Sequence, residues 1–133
     1  MADACIFCKI VAGQIPAFKL LETELIMAFL DINPLSKGHC LIIPKRHCQV
    51  LTDCTDTELQ EMLPAAKRIA TALGGQFNIL QNNGPMAHQD IPHVHLHVIP
   101  KPNIEEGLKM KWSPLKVNME ALKQLCDDLR RLL

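Results

Sequence analysis

Short apolar runs separated by turn-forming residues fill most of the first hundred positions. LIMAFLDINP (25–34) and HCLIIPKRH (39–47) are partly β-branched, and the linker NPLSKG has the composition of a turn between neighbouring strands. QFNILQN (76–82) and HVHLHVIP (93–100) are typical of two more strands, and an extended region begins at Pro16. The pattern predicts antiparallel pairing of the first two runs.

Three segments have helical patterns. FCKIVAG near the N-terminus predicts a short helix that ends at a glycine. From Thr57 to Gly74, apolar residues recur at spacings of three and four, which predicts one long helix, capped by Asp56 or Thr55 and bent at Pro64. A second amphipathic helix closes the chain, and its apolar face consists of Met119, Leu122, Leu125, Cys126 and Leu129. Adjacent strands with few intervening helices favour an α+β fold with an antiparallel sheet.

Composition narrows the classes of partner. A chain of 133 residues has the size of one domain, and its 14 Lys and Arg balance 14 Asp and Glu, so we expect no nucleic-acid partner. No apolar run approaches the roughly 18 residues of a membrane span, and the N-terminus lacks a signal-peptide pattern. We therefore expect a soluble cytoplasmic protein without membrane contact, with access to the nucleus left open. A reducing compartment disfavours disulfides among its six cysteines and favours a metal site for Cys5 and Cys8, whereas the other four are structural or surface thiols.

Histidines occupy alternate positions of the last predicted strand. His93, His95 and His97 would share one face of that strand, with apolar side chains on the other. One such histidine would be unremarkable on a half-exposed strand. Three in register, about 6–7 Å apart, can line one small pocket, and imidazole suits both proton transfer and nucleophilic attack near neutral pH. The pattern indicates chemistry or metal binding.

HVHLHVIP fits the His-φ-His-φ-His-φ-φ signature of the histidine triad (HIT) superfamily, in which φ is apolar. IFCKIVAGQIPA, AFLDINPLSKGH, LIIPKRH and QNNG resemble, in the same order, other stretches of its Hint-like branch. The resemblance implies a five-stranded antiparallel sheet with helices, paired as a homodimer. The two long predicted helices would belong to the same fold. We therefore expect one domain over 1–133, in which residues 5–100 form the core and residues 101–133 form a C-terminal extension.

The resemblance also implies an enzyme that attacks the α-phosphorus of a nucleoside phosphate derivative. His95 would be the nucleophile and would carry a covalent nucleotidyl group. His97 and His39 would contact phosphate oxygens, and Gln89 would hold the phosphate and the scissile oxygen. The expected activity is hydrolysis or nucleotidyl transfer on purine nucleoside phosphoramidates or related nucleotidyl conjugates. Dinucleoside polyphosphates are the alternative substrates.

The remaining nucleotide contacts follow from the resemblance too. Asn82 would bind near the ribose and phosphate, although its place before Asn83 favours a simple turn. Asp31 would accept hydrogen bonds from the ribose hydroxyls, whereas the residues alone suggest a turn cap. Apolar side chains near the entrance would recognise the base, with core packing as their default interpretation: Ile6, Phe7, Ile10, Phe29 and Ile32. We expect adenosine and guanosine monophosphate groups both to be tolerated.

Cys5 and Cys8 form a Cys-x-x-Cys pair, which alone is a modest signal for zinc. By resemblance to relatives with the same pair, His47 and His93 would complete a closed Cys2His2 site. Such a site would be structural and would tie the N-terminus to the strand that carries the nucleophile. Otherwise the two cysteines are ordinary buried residues and His47 lies on the surface.

The loop before the triad departs from the family pattern. It has Ala87-His88 where a Gly-Gly or Ala-Gly pair is common, and Asp90 where a Ser or Thr is common. A carboxylate there favours phosphoramidates over polyphosphates, since it could protonate a leaving amine or repel a polyphosphate. The competing hypothesis is a zinc-stabilised nucleotide-binding or interaction module with little turnover.

Overall fold

The computed structural model describes residues 4–133, and within them five strands form one antiparallel sheet. The order across the sheet is β1-β2-β3-β5-β4, so β1 and β4 are its edges. The strands are β1 Lys19–Glu22, β2 Ile26–Leu30, β3 Cys40–Pro44, β4 Phe77–Leu80 and β5 Leu96–Pro100. The predicted pairing of the first two apolar runs is confirmed, since β2 and β3 pair antiparallel with Leu30 opposite Cys40. The predicted α+β class is confirmed as well.

Apolar side chains cover both faces of the central strands. Ile26, Ala28 and Ile42 point towards the long helix and pack with Met62 and Ile69 on that helix. The alternate positions of the same strands form a second cluster on the opposite face, with residues of the N-terminal helix: Cys5, Phe7, Met27, Phe29, Leu41 and Ile43. This alternation explains why β2 and β3 are almost continuous apolar runs, because both of their faces are buried.

Three helices accompany the sheet: α1 Ile6–Val11, α2 Asp56–Leu73 and α3 Met119–Leu132. Thr55 caps α2, and its hydroxyl accepts from the Glu58 amide while the Glu58 carboxylate accepts from the Thr55 amide. Of the two predicted caps, Thr55 is therefore the one used, and Pro64 lies inside the helix as predicted. Gly74 follows its C-terminus.

The C-terminal helix α3 forms where the amphipathic pattern predicts it. None of its described side chains is buried, and its apolar residues Leu122, Leu125 and Leu129 are exposed to solvent. An isolated helix of this length is marginal in water, so α3 needs a surface to cover its apolar face. Among residues 4–133 no helix has both the length and the apolar character required to cross a lipid bilayer.

The last predicted strand begins later than expected. The pattern predicts 93–100, but the ladder starts at Leu96, and His93 and His95 precede it. The main-chain amide of Val94 donates instead to the carbonyl of Cys48, at 2.8 Å. Residues 93–95 therefore lie outside the ladder, and the Phe7 ring packs against both His93 and His95, with centroids 5.7 and 5.2 Å apart.

Candidate active site and metal centre

His95 directly precedes β5, in a buried position with 6% of its surface exposed. Its Nδ1 lies 2.7 Å from the main-chain carbonyl oxygen of His93, so Nδ1 carries the proton and donates it to that oxygen. In the neutral ring Nε2 then holds a free lone pair. The ring of Phe7 packs against His95, with centroids 5.2 Å apart, and limits its movement. The hydrogen bond and the packing therefore fix the orientation of the His95 ring, with Nε2 as its unpaired nitrogen.

His97 receives its orientation from His39. The Leu35 amide donates to His39 Nδ1 at 3.0 Å, so the proton of the neutral His39 ring is on Nε2. That Nε2 lies 2.9 Å from His97 Nδ1, which must accept, and the His97 proton is therefore on Nε2. The rings of His97 and His95 are neighbours, with centroids 4.8 Å apart. These hydrogen bonds leave His97 with an N–H donor on its Nε2, in a ring that neighbours His95.

Burial keeps the imidazole rings of His39 and His97 neutral. It lowers the pKa of His39, and the nearby Asp31 carboxylate opposes this only in part. The pKa of His97 falls to about 4, mainly through burial and further through the charges of His95 and His39. At neutral pH His97 is therefore a neutral hydrogen-bond donor. Both ring nitrogens of His39 are occupied inside the protein, which disagrees with its predicted direct contact with phosphate oxygens.

Gly38 lets the chain reach this position. Its φ is +92°, in the region that favours glycine, and a Cβ atom there would lie 2.8 Å from Leu73 Cδ2. The next residue, His39, ends the connection between β2 and β3, and its ring contacts that of His97 on β5, with centroids 5.1 Å apart. Asp31 begins the same connection, and its Oδ1 accepts from the Asn33 amide at 2.8 Å, the turn-capping role that the residues alone suggest. Its Oδ2 lies 3.4 Å from His39 Nε2.

The loop before the histidines is held by amide side chains. Gln89 accepts from the Gly84 amide and donates to the Gln49 carbonyl, both at 2.7 Å. Asn82 donates to the His88 carbonyl at 3.0 Å. His88 has φ of +68°, an uncommon left-handed conformation for a residue with a side chain. Asn82 and Gln89 thus fix the shape of this loop.

The residues predicted to contact the base lie at different depths. Phe7 and Phe29 are buried core residues whose rings pack together, with centroids 5.8 Å apart. Ile10 is partly buried against the same cluster. Ile6 is exposed, and Ile32 is 73% exposed. Ile6 and Ile32 are therefore available to a ligand, whereas Phe7 supports His95 from below.

Four potential metal ligands converge at His93, two residues before His95. The donor atoms of Cys5, Cys8, His47 and His93 lie within 4.8 Å of one another. The His93 Nε2–H donates to the Pro44 carbonyl at 2.8 Å, so Nδ1 presents a lone pair to the cluster. That Nδ1 lies 3.3 Å from Cys5 Sγ and 3.2 Å from His47 Nδ1. These residues can hold a metal ion.

The spacings of the donor atoms fit a tetrahedral zinc ion. Zn–S bonds of about 2.3 Å and Zn–N bonds of about 2.0–2.1 Å separate two nitrogens by about 3.3 Å and a nitrogen from a sulfur by about 3.6 Å. The pair of nitrogens lies at 3.2 Å, and the nitrogen–sulfur pairs lie at 3.3, 3.3 and 3.6 Å. Two thiols and two imidazoles also form a donor set that zinc prefers.

Comparison with known proteins identifies the family. The family model described as HIT domain matches residues 12–104. The chain belongs to the HIT family. This HIT protein is 48% identical over 127 residues to the adenosine 5'-monophosphoramidase hnt1 of Schizosaccharomyces pombe, an alignment that covers 95% of this chain and 96% of that protein.

Solved structures confirm the fold of this HIT protein. It superposes with a TM-score of 0.91 on the histidine triad nucleotide-binding protein of Candida albicans, which is 41% identical, and 96% of each chain is covered. A hypothetical protein from Leishmania major, 42% identical, superposes with a TM-score of 0.93 over 99% of this chain and 97% of that one. The expected HIT architecture is thus confirmed, and the second match covers nearly the whole chain.

Residues 48–54 of this HIT protein form a connecting loop whose supporting contacts the sequence patterns did not predict. The Cys48 carbonyl accepts from the Val94 amide at 2.8 Å, and the Gln49 carbonyl accepts from the Gln89 side chain at 2.7 Å. The Leu51 amide donates to Asn83 Oδ1 at 2.7 Å. This loop therefore supports both the triad segment and the loop before it. Main-chain groups make these contacts, so no side-chain motif could have revealed them.

Proposed function

We propose that this protein is a nucleotide hydrolase or nucleotidyl transferase that acts at the α-phosphorus of purine nucleoside phosphoramidates through a nucleotidyl-His95 intermediate. One observation carries the proposal: His95 has its Nδ1–H tied to the His93 carbonyl, which leaves Nε2 free beside the His97 donor. The fission-yeast relative, which is 48% identical, is named as an adenosine 5'-monophosphoramidase, and this supports the same chemistry. Related nucleotidyl conjugates would react in the same way.

The proposed reaction has two displacements. Nε2 of His95 attacks phosphorus, the P–N bond to the leaving amine breaks, and the amine takes up a proton from solvent, which regains one from the attacking water in the second step. Water then attacks the nucleotidyl-imidazole, which releases the nucleoside monophosphate and regenerates His95. Nε2–H of His97 donates to a phosphoryl oxygen as negative charge develops, which is the contribution expected of a preorganised donor.

His39 and Gln89 have positioning roles in this proposal. His39 sets the proton of His97, since its own nitrogens are both occupied. Gln89 spans Gly84 and the Gln49 carbonyl, and a bound phosphate would compete for its amide. Asn82 lies in the same loop and would turn towards the ribose and phosphate. Asp31, two residues after Phe29, would accept from the ribose hydroxyls, with Ile32 and Ile6 against the base.

We also propose that the cluster of Cys5, Cys8, His47 and His93 holds a structural zinc ion. Four protein ligands leave no open position for substrate, so the ion would stabilise the fold without taking part in the reaction. It would join α1 to the end of β3 and to the segment before β5. The donor spacings described above support this assignment.

A homodimer is the proposed assembly. β4 is a sheet edge, and exposed Phe77 and Ile79 on it line an apolar cavity of about 430 Å³ against α2, away from the histidines. An uncovered apolar edge favours association. We propose that a second copy covers this surface and the apolar face of α3. The extension 101–133 would then be part of a single domain over 1–133. A cytoplasmic location is supported by six free thiols, all in the described part of the chain.

The test is hydrolysis of adenosine 5'-phosphoramidate by the zinc-loaded wild type and by His95→Ala, with circular dichroism and zinc content measured for both. We expect turnover by the wild type and a loss of at least about a thousandfold in the folded variant, since a nucleophile cannot be replaced by binding alone. Brief reaction with a labelled substrate should leave an acid-labile nucleotidyl group on the tryptic peptide that contains His95.

The same assay tests the two alternatives. Comparable or faster turnover of dinucleoside polyphosphates would identify these as the substrates. Binding of AMP without turnover of either class would favour a nucleotide-binding or interaction module. A folded, zinc-loaded His95→Ala protein with wild-type turnover would exclude His95 as the nucleophile.

A further inference from the structure

A second cluster of thiols follows the metal ligand His47 in the chain. The Sγ atoms of Cys48 and Cys54 and a carboxylate oxygen of Glu58 lie within 4.8 Å of one another. Cys48 is only 1% exposed, whereas Cys54 is half-buried. Both thiols are free, and neither contributes a side chain to the proposed reaction.

A second metal ion fits this cluster poorly because Glu58 is already occupied. Arg46 donates to both of its carboxylate oxygens, at 2.7 and 3.0 Å, and the Thr55 amide donates at 2.9 Å. A cation would have to displace the guanidinium and uncap α2. Cys48 Sγ donates only weak hydrogen bonds, both at 3.5 Å, to the Arg46 carbonyl and to a Glu58 carboxylate oxygen. A bond to the neighbouring Cys54 sulfur would replace them.

We propose that Cys48 and Cys54 form a reversible disulfide that closes the loop 48–54. Cys54 is the more accessible member of the pair, since it is half-buried and directly precedes the N-cap Thr55. Cys48 is held by its carbonyl contact with Val94. Rotation of the Cys54 side chain can bring the sulfurs from within 4.8 Å to the bond length of about 2.05 Å.

The oxidant is a low-molecular-weight disulfide of the glutathione class. The Cys54 thiolate attacks one sulfur of the oxidant, its S–S bond breaks, and one thiol leaves. The Cys48 sulfur then attacks the Cys54 sulfur of this mixed disulfide and releases the second thiol. Two cysteine thiols are oxidised and one small disulfide is reduced to two thiols. Burial raises the pKa of Cys54, so incubation lasts hours.

Closure of the loop would reach the active site. The Gln49 carbonyl, inside the closed loop, holds Gln89, and the Leu51 amide holds Asn83. Drawing Cys54 inwards shifts these groups, and we expect kcat/KM to fall about five-fold, the equivalent of one neutral hydrogen bond. This effect on activity rests on the proposed function, whereas the disulfide itself does not.

The full-length, zinc-loaded protein is incubated with oxidised glutathione, alkylated under denaturing conditions and digested with trypsin. The peptide 47–67 contains Cys48 and Cys54 and no other cysteine. We expect it to lack two hydrogens and to carry no alkyl groups, and dithiothreitol should restore both alkylation sites. Cys126→Ser, which changes an exposed thiol, should behave like the wild type. Cys54→Ala should keep basal activity and lose the response to oxidation.

A peptide 47–67 that still carries two alkyl groups, or a separate glutathione on each cysteine, would overturn the proposal. Zinc content measured in parallel reveals any oxidation of the metal ligands Cys5 and Cys8. If the disulfide forms in a protein that hydrolyses no nucleotide, the proposed function fails and the disulfide stands. If hydrolysis is normal and no disulfide forms, only this inference fails. A disulfide without effect on kcat/KM would overturn the link to Gln89.

Discussion

Replacement of His39 by asparagine or glutamine separates the two hydrogen bonds that this buried ring makes. The Oδ1 atom of asparagine occupies the place of His39 Nδ1 and keeps the acceptor for the Leu35 amide, at 3.0 Å in the wild type. Its side chain is too short to donate to His97 Nδ1, which lies 2.9 Å from His39 Nε2. Glutamine reaches that far and keeps the donor, but it places no acceptor at the Nδ1 position.

The expected losses follow from these geometries. A neutral hydrogen bond contributes about 1 kcal/mol, which corresponds to about a five-fold change in rate. His39→Asn should therefore lower kcat for adenosine 5'-phosphoramidate about five-fold, with KM little changed. His39→Gln should retain kcat within about two-fold and lower the free energy of unfolding by about 1 kcal/mol, because the Leu35 amide loses its acceptor.

The pH profile distinguishes positioning from a purely structural role. Protonation of His97 would remove the acceptor at Nδ1, so kcat should fall as the pH drops towards its pKa of about 4. Burial is the main cause of that low pKa, and the charges of His95 and His39 lower it further, against Asp31 and Asp90. In His39→Asn one of these charges is absent, so the acidic limb should move to higher pH. A His39→Asn protein that keeps the wild-type kcat, or in which KM alone changes, would contradict the positioning role of His39.

Three further predictions concern stability. Arg46 and the Thr55 amide lower the pKa of the buried Glu58 from 4.5 to about 2, so this carboxylate stabilises the protein above pH 4.5 and loses that effect as the pH falls towards 2. Because Arg46 is half exposed, Glu58→Gln should lower the urea midpoint at pH 7 by the equivalent of only about 1–2 kcal/mol, and an equal loss at pH 2 would contradict this. Chelation of zinc should lower the free energy of unfolding by several kcal/mol, and a His47→Ala protein of unchanged thermal stability would refute the metal assignment. His88→Gly should raise stability by about 0.5–1 kcal/mol in a thermal denaturation assay, since φ of +68° suits glycine; a lower melting temperature would show that this conformation carries no strain.

The core of the fold was accessible from the sequence because its patterns are local. β2 and β3 are runs buried on both faces, and α2 has a clear helical period with a cap and a terminal glycine. The short helix α1 was predicted for similar reasons. The predicted start of β5 was wrong. The main-chain contact of Val94 with a distant loop determines where the strand begins, and such a contact leaves no trace in the periodicity of the sequence.

The candidate site was accessible only in part. The alternation of His93, His95 and His97 predicted one shared face, and the rings of His95 and His97 are neighbours. That the His93 ring would meet two cysteines and His47 came only from the resemblance to the family. The positioning role of His39 depends on which groups its two nitrogens meet, and that depends on tertiary packing. The support from residues 48–54 uses main-chain atoms, which every residue type possesses.

His93 serves the two centres with different parts of the same residue. Its imidazole belongs to the metal cluster, while its peptide oxygen fixes the proton of His95. Any amino acid at position 93 would keep that oxygen, so mutation can remove the metal ligand and spare the hydrogen bond. The two centres are therefore genetically separable despite their proximity. A lineage could lose the metal and retain the chemistry, provided that other packing held the peptide at position 93 in place.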